Sequence, residues 1–236
     1  MSRQIVMAGG SHGIGQQIVQ AQLALGNRVH VYSRESGALS QSDLLTYHSH
    51  DFTSDAALEA LPDAIDGAVY CPGSINLKSF RSLKVDDFLE DLQVNLLGAV
   101  RFLQAVMPAL RKTSAKNAPT SVVLFSTIAV AQGMSMHASV AAAKGAVEGL
   151  ARSLAAEWSP SIRVNCIAPA LTETPLSERF FKSDEARKAL AERYPLGRTG
   201  EAEDVAAAAS FLLSEDSAWM TGQVLGIDGG MSSIKK

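Results

Sequence analysis

The chain has 236 residues, 47% of them hydrophobic and 19% charged, so it can bury a sizeable core and has the composition of a soluble globular protein. A formal net charge of −3 gives no electrostatic reason to expect a nucleic acid or an anionic membrane surface as partner. The two cysteines, Cys71 and Cys166, lie in apolar runs without metal-ligand spacing, which favours buried thiols in a reducing compartment. With no signal-peptide pattern and no apolar segment of spanning length, the sequence predicts a cytoplasmic protein without a metal site.

The first distinctive segment is Ala8-Gly9-Gly10-Ser11-His12-Gly13-Ile14-Gly15, which follows a short apolar run and precedes a helical pattern. Strand, glycine-rich turn and helix in this order are the setting of a dinucleotide-binding loop. We assign Gly9 to the tight turn, Gly13 to close approach of a pyrophosphate, and Gly15 to packing of the helix on the strand. Free N–H groups and the positive end of the helix dipole then face the phosphates. The alternative is a glycine-rich turn that only connects two core elements.

The second predicted strand, 28–32, ends at Ser33 and Arg34, the position that distinguishes nicotinamide cofactors in such folds. A basic side chain there pairs with a ribose 2′-phosphate, whereas an acidic one accepts hydrogen bonds from a free 2′-hydroxyl. Arg34 and His12 therefore favour NADP over NAD. Glu35, and the alternative that Arg34 is an ordinary solvated arginine, leave NAD open.

The third predicted strand, 45–49, is followed by Asp51 and Phe52. A carboxylate at the end of this strand is placed to accept a hydrogen bond from the amino group of an adenine. The alternatives are a turn that begins at Asp51, or a cap on a helix that the sequence predicts near 55–60.

The remaining segments continue to alternate between strand and helix. They are a strand at 67–71 that ends in Pro72-Gly73, a long helix at 85–111, a strand at 122–125, a helix at 138–158, a strand at 163–168 stopped by Pro169, a mobile helical flap at 176–194, a helix at 203–213 and a strand at 224–227. This alternation predicts one α/β domain over 1–236, a doubly wound, Rossmann-like sheet of about seven parallel strands with helices on both faces. Asparagine is unfavourable inside a helix, so Asn95 either faces solvent or has a specific role.

Seven segments in order resemble the short-chain dehydrogenase/reductase family, and together they cover essentially the whole chain. They are AGGSHGIG at 8–15, DF at 51–52, CPG at 71–73, VNLLG at 94–98, AAAKGAVEGL at 141–150, VNCIAP at 164–169, and PLGRTGEAEDVA followed by TGQVLGIDGG at 195–230. The resemblance implies a Rossmann-like sheet, an NAD(P) cofactor, and carbonyl reduction or alcohol oxidation of a small molecule. It also implies a homotetramer, or a homodimer, built on the long helices at 86–111 and 138–158.

The resemblance further implies where the catalytic groups lie. The asparagine that holds a proton-relay water falls on Asn95, and the lysine that binds the nicotinamide ribose falls on Lys144. The serine that binds the substrate oxygen falls on Thr127, which keeps the hydroxyl and has Ser126 beside it. The family's tyrosine belongs four residues before the lysine, on the same helix face, where this chain has Val140. The proton donor of the family is therefore missing.

Two residues near Val140 are candidates for a substitute proton donor. His137 lies three residues before Val140 and shares its stripe if the helix starts early enough, and an imidazole titrates near neutral pH. The alternative is that His137 is a loop or helix-start residue without a catalytic part. Ser139 is a poorer candidate, because it points about 100° away around the helix.

The predicted cofactor site gathers residues from several segments. They are Gly9, Ser11, His12, Gly13, Ile14, Gly15, Ser33, Arg34, Asp51, Phe52, Cys71, Pro72, Gly73, Asn95, Lys144, Pro169 and Thr174, the last of which fits a family threonine that meets the pyrophosphate. An active NADP-dependent reductase with an altered acid, or with a substrate that needs little acid help, is the first interpretation. A cofactor-binding protein without turnover, a redox sensor or the silent partner in an oligomer, is the second. The apolar side chains of 134–137 and of the flap favour an apolar substrate.

Overall fold

A parallel sheet runs through the centre of the computed structural model, which describes residues 2–114 and 120–235. The strands are β1 (Gln4–Ala8), β2 (Arg28–Ser33), β3 (Leu45–Ser49), β4 (Gly67–Tyr70), β5 (Thr120–Phe125), β6 (Ile162–Pro169), β7 (Thr172–Glu173), β8 (Gly200–Glu201) and β9 (Val224–Ile227). Seven of them form one sheet in the order β3-β2-β1-β4-β5-β6-β9, with every neighbouring pair parallel. All seven predicted strands are present, and the small β7–β8 pair was not predicted.

Helices cover both faces of this sheet. They are α1 (Gly13–Ala24), α2 (Val85–Leu92), α3 (Gly98–Ser114), α4 (Ala138–Trp158), α5 (Asp184–Ala191) and α6 (Ala202–Leu213). One core cluster joins the sheet to α3 and α4, with Phe102 and Val147 as members. A second cluster joins the other face to α1 and α6, with Ile18 and Val205 as members. Strands covered on both sides are apolar on both sides, which is why β5 shows no alternation. The predicted α/β Rossmann-like class is confirmed.

The long helix predicted at 85–111 is interrupted at its middle. A π-helical segment, Gln93–Leu97, joins α2 to α3 and contains Asn95. Such segments are rare, and they occur frequently at functional sites. Asn95 is 1% exposed, so the alternative that it faces solvent is wrong.

The helix predicted near 55–60 is also wrong. Residues 53–64, all of which the structure describes, form an irregular connection between β3 and β4. Asp51 accepts hydrogen bonds from the backbone N–H of Thr53 at 2.9 Å and from its hydroxyl at 2.8 Å, so it begins a turn rather than capping a helix. Ala60 has a φ of +54°, a left-handed conformation that a helix does not contain.

The predicted flap at 176–194 is helical in part. It contains a 3₁₀ turn, Pro175–Phe180, and then α5. Phe181, between the 3₁₀ turn and α5, and Tyr194, at the end of the segment, are buried, and the mobility of the segment stays a prediction. Across residues 2–114 and 120–235, each helix lacks the combination of length and apolar character that crossing a membrane requires.

Candidate active site

Two adjoining cavities open along the carboxyl edge of the sheet, where the strand order reverses between β1 and β4. The edge cavity, about 310 Å³, lies over β2 and β3. Its walls include Gly9, Ser11, His12, Ser33, Arg34, Asp51, Phe52 and Pro72. The central cavity, about 300 Å³, lies between the ends of β4, β5 and β6. Its walls include Ile14, Cys71, Thr127, His137, Val140, Lys144, Pro169 and Thr174. Gly73 and Ser74 line both, so the two cavities share a wall.

Three predicted residues lie outside the walls of both cavities. They are Gly13, which adjoins Thr174, Gly15, and Asn95, which adjoins Gly73. A Cβ on Gly13 would lie 3.1 Å from the side chain of Thr174, and one on Gly15 would lie 1.9 Å from the carbonyl oxygen of Gly9. Glycine at position 15 therefore lets α1 pack on the end of β1, which confirms the packing role given to it.

The start of α1 presents unpaired donors to this region. His12 is the N-cap residue of the helix and makes no side-chain capping bond. Within the part of the chain that the structure describes, the backbone N–H groups of His12, Gly13 and Ile14 find no acceptor. Three free N–H groups at the positive end of a helix dipole form an anion-binding arrangement.

Arg34 extends from the end of β2 beside Asp51. Both Arg34 and Glu35 are exposed, whereas the Ser33 hydroxyl is turned inward and donates to the carbonyl oxygen of Glu35 at 2.8 Å. The pKa of Asp51 is lowered, mainly by the hydrogen bonds from Thr53 and to a smaller extent by the positive charge of Arg34. A cation and a hydrogen-bonded carboxylate thus stand together at the rim of the edge cavity.

Lys144 is the buried cation of the central cavity. Its Nζ donates to the carbonyl oxygen of Phe125 at 2.9 Å, and burial lowers its pKa to about 8. Val140 lies one helical turn earlier, is 5% exposed and faces the same cavity. The helix therefore offers a cation and an isopropyl group on one stripe, which is the arrangement that the spacing predicted.

The two hydroxyls after β5 have different surroundings. Ser126 is buried and donates to Oε1 of Glu148 at 2.7 Å, which occupies its proton. Thr127 accepts a weak hydrogen bond from the N–H of Ala129 at 3.3 Å, and its own proton has no acceptor among the described residues. Of this pair, Thr127 is the hydroxyl able to donate into the cavity.

His137 lines the cavity but does not belong to the stripe of Val140 and Lys144. The helix begins at Ala138, so His137 is its N-cap residue and has a non-helical backbone. Its Nδ1 lies 2.7 Å from the carbonyl oxygen of Ser135. A proton on Nδ1 satisfies this contact, which leaves Nε2 as the nitrogen able to exchange a proton.

The sequence of this chain resembles known proteins over nearly its whole length. Residues 8–232 match the family model described as enoyl-(acyl carrier protein) reductase. A tropinone reductase homologue of Arabidopsis thaliana is 31% identical over 249 residues, which cover 98% of this chain and 91% of the relative. The chain belongs to the short-chain dehydrogenase/reductase family.

Solved structures of short-chain dehydrogenase/reductase proteins share the whole fold. An oxidoreductase of this family from Burkholderia thailandensis is 26% identical, with a TM-score of 0.87 over 100% of this chain and 94% of its own. A 3-ketoacyl-(acyl-carrier-protein) reductase from Brucella melitensis, solved with NADH, is 24% identical, with a TM-score of 0.87 over 98% of each chain. The chain is thus an oxidoreductase-type member of this family.

Two polar residues of this short-chain dehydrogenase/reductase site were not predicted from the sequence. Ser74 lines both cavities, and Asp91 lies behind it on α2 with its carboxylate 2.5 Å from the Ser74 hydroxyl. Asp91 precedes Asn95 by four residues, which is one helical turn. That spacing was a signal in the sequence, because a carboxylate on the same face as a buried asparagine shares its surroundings.

Proposed function

We propose that the protein is an NADP(H)-dependent oxidoreductase that reduces the carbonyl group of a small apolar molecule, or oxidises the corresponding alcohol, with an altered proton donor. The observation that carries the proposal is the convergence of Asn95, Thr127 and Lys144 beside the unpaired N–H groups at the start of α1. A glycine-rich turn that only connected two core elements would need neither a buried lysine nor unpaired backbone N–H groups beside the same cavities.

The described residues fit a nicotinamide cofactor. The free N–H groups of His12, Gly13 and Ile14 would hold its phosphates, with Thr174 opposite. Arg34 would pair with a 2′-phosphate, and Lys144 has two ammonium protons left for the nicotinamide ribose. The cofactor, when bound, supplies the hydride. Similar solved structures hold NADH in one case and NADP in another, so the preference for NADP rests on the basic side chains of the edge cavity in this chain, Arg34 and His12.

The proton must come from a group other than residue 140, because valine has none to give. Lys144, with a pKa of about 8, is protonated at neutral pH and is close enough to neutrality to act as a general acid. His137, through Nε2, is the second candidate, and the Thr127 hydroxyl orients the substrate oxygen between them.

The central cavity supports an apolar substrate. Its walls away from Lys144 carry the side chains of Ile75, Leu77, Phe125, Ile128, Met134, Leu176 and Phe180. A volume of about 300 Å³ suits a ligand at the small end of the range found for protein pockets.

An assay of NADPH consumption over ketones, aldehydes and quinones tests the function. We expect slow turnover by the wild type, loss of at least about 10-fold in kcat for His137→Ala if Nε2 donates, and loss of turnover with weakened NADPH binding for Lys144→Met. Wild-type protein that binds NADPH but consumes none with any carbonyl compound would contradict an active reductase. That result would favour the second candidate, a catalytically silent NADP(H)-binding protein, for which Val140 is the specific observation.

Arg34→Ala tests the preference for NADP. Removing the guanidinium should weaken NADPH binding by about 10-fold or more while leaving NADH binding within about 2-fold, because only NADPH carries the 2′-phosphate. Arg28→Ala is the matched control, since Arg28 is an exposed arginine at the other end of the same strand. Titration of cofactor fluorescence gives both dissociation constants. Equal losses for NADPH and NADH would contradict the assignment.

A homotetramer, or a homodimer, is part of the proposal. Exposed apolar side chains gather on and before α2 and on the π-helical segment, namely Phe80, Val85, Leu89 and Leu97. Val85 and Leu89, four residues apart, share a face of α2, and exposed apolar side chains on neighbouring elements are expected at a protein–protein interface.

A further inference from the structure

Asp91 belongs to a closed network of hydrogen bonds behind the wall that the two cavities share. It is 2% exposed, and its Oδ1 accepts from the Ser74 hydroxyl at 2.5 Å. The Ser74 oxygen accepts in turn from Nδ2 of Asn95 at 2.8 Å, and the same Nδ2 donates to the carbonyl oxygen of Asp91 at 2.7 Å. Three side chains thus hold one another in place across the junction of β4 with α2.

Two acceptors of this network have no donor. Asp91 Oδ2 and Asn95 Oδ1 are buried and find no hydrogen-bond partner among the described residues. A Cβ built on Gly73 would lie 3.3 Å from Lys144 Nζ and 3.4 Å from Asn95 Oδ1, so the ammonium and the network meet at this glycine. Unpartnered buried acceptors next to an ammonium with two spare protons indicate an arrangement built around a positive charge.

The titratable groups that act on Lys144 come from three parts of the fold. Cys71 follows β4, Cys166 lies on β6, and Asp91 lies on α2. Burial raises the pKa of each thiol to about 12, so both are neutral near pH 7. Asp91 is the carboxylate in this set. The charge of Asp91 also acts weakly on Lys78, but Lys78 is hydrogen-bonded to Asp87.

We propose that Asp91 is a positioning residue of this site: it is the buried counter-charge of Lys144, and it orients Ser74 and Asn95 so that Lys144 keeps its proton. The effect of Asp91 on the Lys144 proton does not depend on the proposed function. Its effect on catalysis does, since a reduction that takes its proton from this cavity needs Lys144 to be charged. The inference adds to that function a residue, Asp91, that keeps the Lys144 ammonium protonated and lies one helical turn before Asn95.

The sign of the effect follows from the charge. A carboxylate nearby favours the ammonium form and opposes the effect of burial, so its removal lowers the pKa of Lys144 below its value of about 8. The reductive reaction should then lose activity at a lower pH than in the wild type, because the neutral amine has no proton to donate.

The experiment is an NMR titration of the cofactor-free protein labelled with ¹³C at lysine Cε, with the Lys144 resonance assigned by its absence in Lys144→Arg. Asp91→Asn should lower the Lys144 midpoint by about one pH unit. Asp87→Asn is the matched control, because Asp87 is a second largely buried carboxylate one turn earlier on α2, bound to Lys78 and to the N–H of Lys84. An unchanged midpoint in Asp91→Asn, or an equal shift in Asp87→Asn, overturns the proposal.

If Asp91→Asn does not fold, the wild type decides the question. The ¹³C resonance of the Asp91 carboxyl carbon should then change its chemical shift at the Lys144 midpoint, because the charge that acts on it changes there, and the absence of that change overturns the proposal. Failure of the proposed function is separate, since it would appear as absent NADPH binding or turnover with the titration unaffected. In an active enzyme, the alkaline limb of the kcat profile for reduction should move with the NMR midpoint.

Discussion

Val140→Tyr is expected to raise kcat/KM for NADPH-dependent carbonyl reduction by about 10²–10⁴-fold, the contribution of a positioned general acid. Residue 140 faces the central cavity one turn before Lys144, and Asn95 and Thr127 are already in place. A phenol there would have its pKa lowered by the adjacent ammonium, which makes it a better donor at neutral pH. Initial rates with a small ketone and NADPH measure the effect.

Val140→Phe is the control for this substitution, because it adds the ring without the hydroxyl. We expect Val140→Phe to lose the wild-type rate, since the ring fills part of a cavity of about 300 Å³ and supplies no proton. If Val140→Tyr lost activity to the same extent, the native donor would have to work through the space that the ring occupies. The proposed gain from the hydroxyl would then be wrong.

Gly15→Ala should weaken cofactor binding strongly. The added Cβ would lie 1.9 Å from the carbonyl oxygen of Gly9, so the loop and the first turn of α1 must move apart. This movement displaces the N–H groups that face the phosphates, and we expect NADPH affinity to fall by at least about 100-fold, or ~2.7 kcal/mol. The free energy of unfolding should also fall, by about 3 kcal/mol, as in an overpacked core. Fluorescence titration and urea denaturation measure the two quantities.

Gly149→Ala provides the comparison for that loss. Gly149 is an exposed glycine inside α4, and a Cβ there meets open space. Alanine should therefore stabilise the protein by about 0.5–1 kcal/mol through helix propensity, without changing NADPH affinity. If Gly15→Ala behaved like Gly149→Ala, the close packing of α1 on β1 would not be needed for cofactor binding.

The fold was predictable because its signals are local. Apolar runs such as 122–125 identify buried parallel strands, and the glycine segment at 8–15 marks the first crossing from strand to helix. The helix predicted near 55–60 is wrong, because the turn closed by Asp51 and Thr53 and the left-handed Ala60 outweigh the helix propensity of Ala56, Ala57 and Leu58 between them.

The candidate site was predictable only where a residue stood in a recognisable segment. Lys144, Thr127 and Asn95 were predicted in this way. The structure places Lys144 and Thr127 in the wall of the central cavity and Asn95 beside Gly73, and their catalytic roles stay predictions. Ser74 and Asp91 lie outside the recognisable sequence segments. Their hydrogen bond joins a loop to a helix, and the two residues are 17 positions apart in the chain. The start of α4 at Ala138, which removes His137 from the helix stripe, depends on the turn before it and not on helix periodicity.

The π-helical segment Gln93–Leu97 determines which side chains of α3, the helix that follows it, face the sheet. One residue corresponds to about 100° of rotation in an α-helix, so a segment wound more loosely than its neighbours turns α3 relative to α2. Asn95 points inward together with Asp91, while Phe102 and Val106 on α3 still meet the sheet. Shortening the segment by one residue would therefore leave the length of the helix almost unchanged. It would, however, turn either Phe102 and Val106 away from the sheet or Asp91 and Asn95 away from the interior.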